Sequence, residues 1–77
     1  MQKIFVDVEV TFDKDGYMHP RSITWTDGAV YEITRILDVR RSASLKAGGQ
    51  GIRFLCRIGR KNTFLFFQNP KWFVEGK

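Results

Sequence analysis

The chain has 77 residues, of which 43% are hydrophobic and 14% aromatic, a composition typical of a folded domain and not of a disordered segment. A single cysteine, Cys56, and a single histidine, His19, exclude an intrachain disulfide framework and a structural zinc site. Neither half of so short a chain could bury a core alone. We therefore predict one small domain over residues 1–77, stabilised by aromatic packing.

The charge distribution indicates where a partner would bind. The net charge is +5, but residues 1–34 hold three basic side chains against six acidic ones, whereas residues 35–61 hold eight basic ones against Asp38 alone. Positive charge in the second half favours an anionic partner.

No segment approaches the roughly 20 apolar residues of a membrane span, and the residues after Met1 alternate and do not form an apolar signal core. The unpaired thiol is compatible with a reducing compartment. We expect a cytoplasmic protein without a membrane partner, and the oligomeric state stays open.

The first half of the chain shows strand patterns. Residues 2–12 alternate, which predicts a long strand whose buried side consists of every second residue: Ile4, Val6, Val8, Val10 and Phe12. A loop is expected over 13–20, because Asp13 to Gly16 has turn composition and Pro20 cannot donate to a sheet. Asp27-Gly28 between two apolar runs predicts a hairpin that pairs Trp25 with Val30.

The second half continues in the same way. We predict a third strand from Ala29 to about Arg40 with a bulge near Arg35, and a glycine-rich loop at about 41–51. Strands at 52–58 and 63–68 should pair through a hairpin at 59–62, before a short last strand at 72–75. Phe64–Phe67 is apolar on both sides, which favours a central strand. The pattern predicts an all-β fold, a small antiparallel barrel or roll of five to six strands, SH3-like or OB-like.

Three sequence blocks, W-x-D-G-x-x-Y-x-I from Trp25, K-A-G-G-x-G-I-R from Lys46 and K-W-F-V-E from Lys71, resemble a family of short uncharacterised bacterial proteins. With Leu37–Arg40, the likeness covers most of the chain. The resemblance implies a stand-alone bacterial protein and carries no activity with it.

The candidate binding residues are basic side chains of the second half that a barrel would bring to one surface. They are Arg40, Arg41, Lys46, Arg53, Arg57, Arg60 and Lys61. Long cations suit phosphate oxygens, and a nearby Phe5 or Phe73 could stack a base. The alternative is a solvated face on which Arg53 and Arg57 pair with Asp7 and Glu9 across strands, while the two phenylalanines complete a second small core.

The glycines Gly48, Gly49 and Gly51 could present backbone N–H groups to an anion. The alternative is that they permit positive φ in a mobile connection. Their spacing matches neither a Walker loop nor a dinucleotide fingerprint.

No nucleophile, general base or metal cluster stands out, so we expect neither an enzyme nor a cofactor nor a metal site. Cys56 aligns with Phe54 and Ile58 and should be a small core residue. The function predicted is binding of nucleic acid, either RNA or single-stranded DNA, through the basic surface. The alternative is a protein-interaction module that uses a strand edge or the apolar strip around Trp72 and Phe73.

Overall fold

The computed structural model describes residues 2–44 and 49–76, and every element in them is a β-strand. The seven strands are β1 (Gln2–Phe12), β2 (Met18–Thr24), β3 (Val30–Glu32), β4 (Arg35–Ser44), β5 (Gly49–Ile58), β6 (Lys61–Gln68) and β7 (Lys71–Gly76). They form one antiparallel sheet in the order β3-β2-β1-β7-β6-β5-β4, and this sheet curls into a half-barrel. The predicted count of five to six strands is therefore too low. No helix capable of crossing a membrane forms within the described residues.

The long first strand joins the two halves of the sheet. Residues Gln2–Val6 pair with β7, and Asp7–Phe12 pair with β2 on the other side of β1. The alternation predicted from sequence is present, since Ile4, Val6, Val8 and Val10 pack against the core. Phe12 is the exception, because it lies at the end of the strand beside the turn and stays 64% exposed.

The β1–β2 turn is held by the side chain of Asp13. Its Oδ1 atom accepts hydrogen bonds from the backbone N–H groups of Asp15 and Tyr17, both at 2.9 Å, and its Oδ2 atom lies 2.9 Å from Nε2 of His19. Gly16 has φ 86°, a value that glycine adopts without strain. The turn is shorter than the loop predicted over 13–20.

Strand β2 begins at Met18 and includes Pro20, which is opposite Val10. The prediction that this proline ends the loop was wrong, because a register shift makes Arg21 a bulge beside it. A bulge is one of the positions where a strand tolerates proline.

The β2–β3 hairpin has a three-residue loop. Thr24 pairs with Val30, the N–H of Trp25 donates to the carbonyl of Ala29 at 2.7 Å, and Gly28 has φ 89°. Three-residue loops commonly end in a left-handed glycine. The predicted pairing of Trp25 with Val30 was therefore wrong by one residue.

The predicted third strand divides into β3 and β4, which lie at opposite ends of the sheet. The chain crosses between them at Ile33, whose N–H donates to the carbonyl of Arg21, and Thr34, whose N–H donates to the carbonyl of Arg57. A bulge does occur, at Leu37, where the register of β4 against β5 shifts.

Pairing of β4 with β5 extends to Ser44 opposite Gly49. The segment predicted as a glycine-rich loop at about 41–51 is therefore strand at both ends, and 45–48 lies outside the described residues.

The core lies on the concave side of the sheet. Its buried cluster is Ile23, Phe54, Cys56, Leu65, Trp72 and Val74. Cys56 and Leu65 are fully buried, as predicted for Cys56, and burial raises the pKa of its thiol to about 11. The predicted hairpin between β5 and β6 is present, with Gly59 at φ 59°, and β6 is an interior strand as predicted.

Candidate nucleic-acid interface

Strands β4 and β5 carry two pairs of arginines directly opposite each other. Arg35 is opposite Arg57, and Arg40 is opposite Arg53. Along β5, Arg53 and Arg57 alternate with the buried Phe54 and Cys56, so they project away from the core, and their partners on β4 share that face. We call this side of the sheet the outer face. Like charges directly opposite each other destabilise a sheet, so folding alone does not account for these arginine pairs.

The pairing of Arg53 and Arg57 with Asp7 and Glu9, which the sequence left open, does not occur. Strands β7 and β6 separate β1 from β5, and the two acids lie beside β2 instead. Among the described residues, neither arginine forms a salt bridge. Their charge is therefore available to an external anion.

One transverse row of side chains crosses five neighbouring strands on the outer face. Arg53 is opposite Arg40 and Phe66, Phe66 is opposite Phe73, and Phe73 is opposite Phe5. Directly opposed residues of antiparallel strands share a face. We call this set the outer row: Arg40, Arg53, Phe66, Phe73 and Phe5. With strands about 4.8 Å apart, the row is about 19 Å long.

The phenylalanines of the outer row are in contact with one another. The rings of Phe66 and Phe73 stack at a centroid distance of 5.0 Å with 6° between their planes, and Phe5 meets Phe73 edge-on at 5.9 Å. Phe73 is only 7% exposed, whereas Phe5 is 52% exposed, and Phe64, beside Phe66, is 44% exposed. The alternative, in which Phe5 and Phe73 complete a second small core, fits Phe73 but not Phe5, whose ring stays open to solvent like that of Phe64.

Three cations lie over these rings. The guanidinium carbon of Arg53 is 4.6 Å from the centroid of Phe64. The Nζ atom of Lys3 is 4.9 Å from the Phe73 ring, and that of Lys71 is 5.3 Å from the Phe5 ring. Cation–π attraction places each charge beside the aromatic surface. The outer face therefore presents rings and positive charges together.

The structure divides the predicted basic set between two faces. Arg40 and Arg53 belong to the outer row, although Arg40 donates from Nε to Asp38 at 2.8 Å and is partly neutralised. Arg57 is also on the outer face, and Arg60 lies at the β5–β6 turn. Lys46 lies outside the described residues.

Two predicted residues do not belong to this surface. Arg41 lines a cavity of about 450 Å³ with Tyr17 and Phe54. Lys61 lines another, of about 390 Å³, with Tyr31 and other residues near the core. A single patch over 40–61 is therefore not formed.

The glycines proposed as an anion-binding loop lie mostly in a strand. Gly49 and Gly51 belong to β5, opposite Ser44 and Ser42, and Gly48 lies outside the described residues. A nest needs the N–H groups of consecutive residues to converge on the anion. In the extended strand that holds Gly49 and Gly51, consecutive N–H groups point in opposite directions, so this part of the segment forms no nest.

Sequence reasoning missed Lys3, Lys71, Phe64 and Phe66 as surface residues. For the two lysines the sequence did contain an indication of exposure, because Lys3 alternates with Ile4 and Lys71 with Trp72. The pairing of β1 with β7, which brings the two lysines to one surface, cannot be inferred from neighbouring residues in the sequence.

The chain matches no family model, no curated protein and no solved structure. Residues 2–44 and 49–76 hold no group of three or more side chains suited to binding a metal ion.

Proposed function

We propose that the protein binds single-stranded nucleic acid across its outer face, with bases on the phenylalanines and phosphates on the neighbouring cations. The observation that carries the proposal is the outer row itself, in which Arg53 continues in register into Phe66, Phe73 and Phe5. Proteins that bind single strands combine stacking rings with a positively charged surface.

The exposed rings favour a single strand over a duplex. Phe5 and Phe64 each leave about half of the side chain accessible, while Phe73 and Phe66 lie beside them, at centroid distances of 5.9 and 6.5 Å. A base can stack on such a ring only when it is free of its own stack, as in single-stranded segments. Base–aromatic stacking is worth about 1–3 kcal/mol per base.

The cations set the expected salt dependence. Arg53, Lys3 and Lys71 lie beside the rings and, among the described residues, form no salt bridge with an acid. Three phosphate contacts would give a slope of about −2 for log K against log salt with a single strand. A slope near zero would be inconsistent with phosphate binding.

The test is fluorescence anisotropy with a labelled uridine 12-mer at low and near-physiological salt. Arg53→Glu removes a cation from the outer row, and Lys14→Glu makes the same charge change in the β1–β2 turn, where Lys14 is exposed. Arg53→Glu should weaken binding by tenfold or more, and Lys14→Glu by no more than threefold. If both variants lost affinity equally, the loss would follow from the change in net charge alone, and this result would contradict a binding site at the outer row.

A second candidate is a protein-interaction module, which the open sheet edge favours. Strand β4 ends the sheet and exposes Leu37 and Val39, so an extended peptide could add a strand there. Binding of such a peptide would depend little on salt and would be weakened by Val39→Lys. Binding of the uridine 12-mer should not be weakened by this substitution.

A further inference from the structure

A cleft lies at the Phe5 end of the outer row, where β1 leaves β7 and begins to pair with β2. Its volume is about 710 Å³, within the range of about 300–1,000 Å³ typical of small-molecule sites. The lining includes Phe5, Asp7, Thr24, Trp25 and Lys71. A strand lying along the outer row would therefore reach this cleft directly after Phe5.

The carboxylate of Asp7 is the distinctive group of the cleft. Asp7 is opposite Thr24, and along β1 it alternates with the inward-facing Val6 and Val8, so its side chain is on the outer face. Among the described residues no cation lies within salt-bridge distance of it. Lys71 also lines the cleft, but its Nζ atom lies over the Phe5 ring.

An ionised carboxylate offers only acceptors, and this determines which bases it can bind. Guanine presents a ring N–H and an amino group side by side, which match the two carboxylate oxygens. Uracil presents carbonyl oxygens on both sides of its one N–H, and these would face the carboxylate unfavourably. A site that leaves a polar group unpaired rejects the wrong base.

We propose that the Asp7 cleft accepts one nucleobase of the bound strand and selects guanine over uracil. The inference rests on the proposed function, because Phe5 and the cations must first hold the strand. Trp25, which packs against the core cluster, and the two threonines Thr24 and Thr26 also line the cleft.

The test compares a uridine 12-mer with the same strand carrying one central guanosine. Asp7→Asn replaces one acceptor oxygen by a donor amide without changing size. Glu9→Gln is the matched control, since Glu9 is the next acid on the same face of β1, opposite Ser22, and does not line the cleft. Anisotropy gives the affinities, and fluorescence of Trp25 and Trp72, which both line the cleft, reports its occupation.

The wild type should bind the guanosine-containing strand about tenfold more tightly, in line with the discrimination expected of one bidentate contact. Asp7→Asn should bring that ratio below threefold while affinity for the uridine strand changes by no more than about twofold. Glu9→Gln should keep the ratio.

Three results would overturn the inference. A wild-type ratio near one, with salt-dependent binding of both strands, would show that the cleft does not select guanine and would leave the proposed function intact. A tenfold ratio that survives Asp7→Asn would assign the preference to another group. No binding of either strand at low salt would refute the proposed function and the cleft with it.

Discussion

The opposed pair Arg35 and Arg57 predicts that one charge reversal stabilises the protein. Arg57→Glu replaces two like charges, directly opposite each other on β4 and β5, with an attractive pair. The backbone carbonyl of Arg57, which accepts from Thr34, is unchanged by the substitution. Arg35→Glu should have the same effect, and the double reversal restores a like-charge pair.

The magnitude follows from cross-strand pair energies. A favourable or unfavourable pair is worth about 0.2–1 kcal/mol, and the single reversal exchanges one for the other. Both side chains are exposed, so the lost repulsion and the gained attraction each take a value in the lower part of that range, about 0.25–0.5 kcal/mol. Together they give an expected gain of about 0.5–1 kcal/mol. For a domain of this size the melting temperature should rise by roughly 2–8 °C.

Thermal unfolding of the wild type, both single variants and the double variant completes the cycle. Each single variant should be more stable at low salt, the double variant should return close to the wild type, and the differences should shrink in 1 M salt, where the screening length is about 3 Å. The reasoning that these arginines oppose folding would be refuted if neither single variant changed the melting temperature. It would also be refuted if the gain of the double variant equalled the sum of the two single gains. The stabilised variants should also bind the uridine strand more weakly.

Three further predictions concern the core and the first turn. Leu65→Ala removes a fully buried side chain and should cost about 2–5 kcal/mol, measured by urea unfolding; a loss below 1 kcal/mol would contradict the packing. The buried thiol of Cys56, with its pKa raised to about 11, should react with a disulfide reagent at pH 8 only as fast as the protein opens, and immediate labelling would contradict its burial. The hydrogen bond from His19, followed by that from the Tyr17 backbone, lowers the pKa of Asp13. Its contribution to stability is therefore present above the unfolded carboxyl pKa of about 3.9 and is lost as pH falls through the lowered folded value. The melting temperature of Asp13→Asn should be lower than that of the wild type at pH 7, and the two melting temperatures should converge at pH 2.

Local patterns in the sequence predicted the strands better than their arrangement. The alternation over Gln2–Phe12 and the burial of Cys56 were correct because each depends on neighbouring residues along the chain. The prediction of one continuous third strand was wrong because Ile33 and Thr34 are residue types that favour an extended chain, both within a strand and in a connection between two strands. Their hydrogen bonds to β2 and β5 place the two pieces at opposite ends of the sheet.

The candidate site shows the same limit. Arg53 and Phe73 were both singled out from sequence, but they are 20 positions apart and share one row, on either side of Phe66, only because β6 pairs with β5 on one side and with β7 on the other. Counting charge along the chain grouped Arg41 and Lys61 with Arg53, although alternation places them on the other face. The register between distant strands decides which side chains share a surface.

The most direct test of the central claim is a two-dimensional NMR titration of the protein, labelled with nitrogen-15, with the uridine 12-mer. We predict that the largest amide shifts fall on the outer row and its neighbours, at Phe5, Arg53, Phe64, Phe66 and Phe73, and that the β1–β2 turn is unaffected. Shifts confined to the edge of β4 or to the concave side, or no shifts at all, would contradict binding across the outer face.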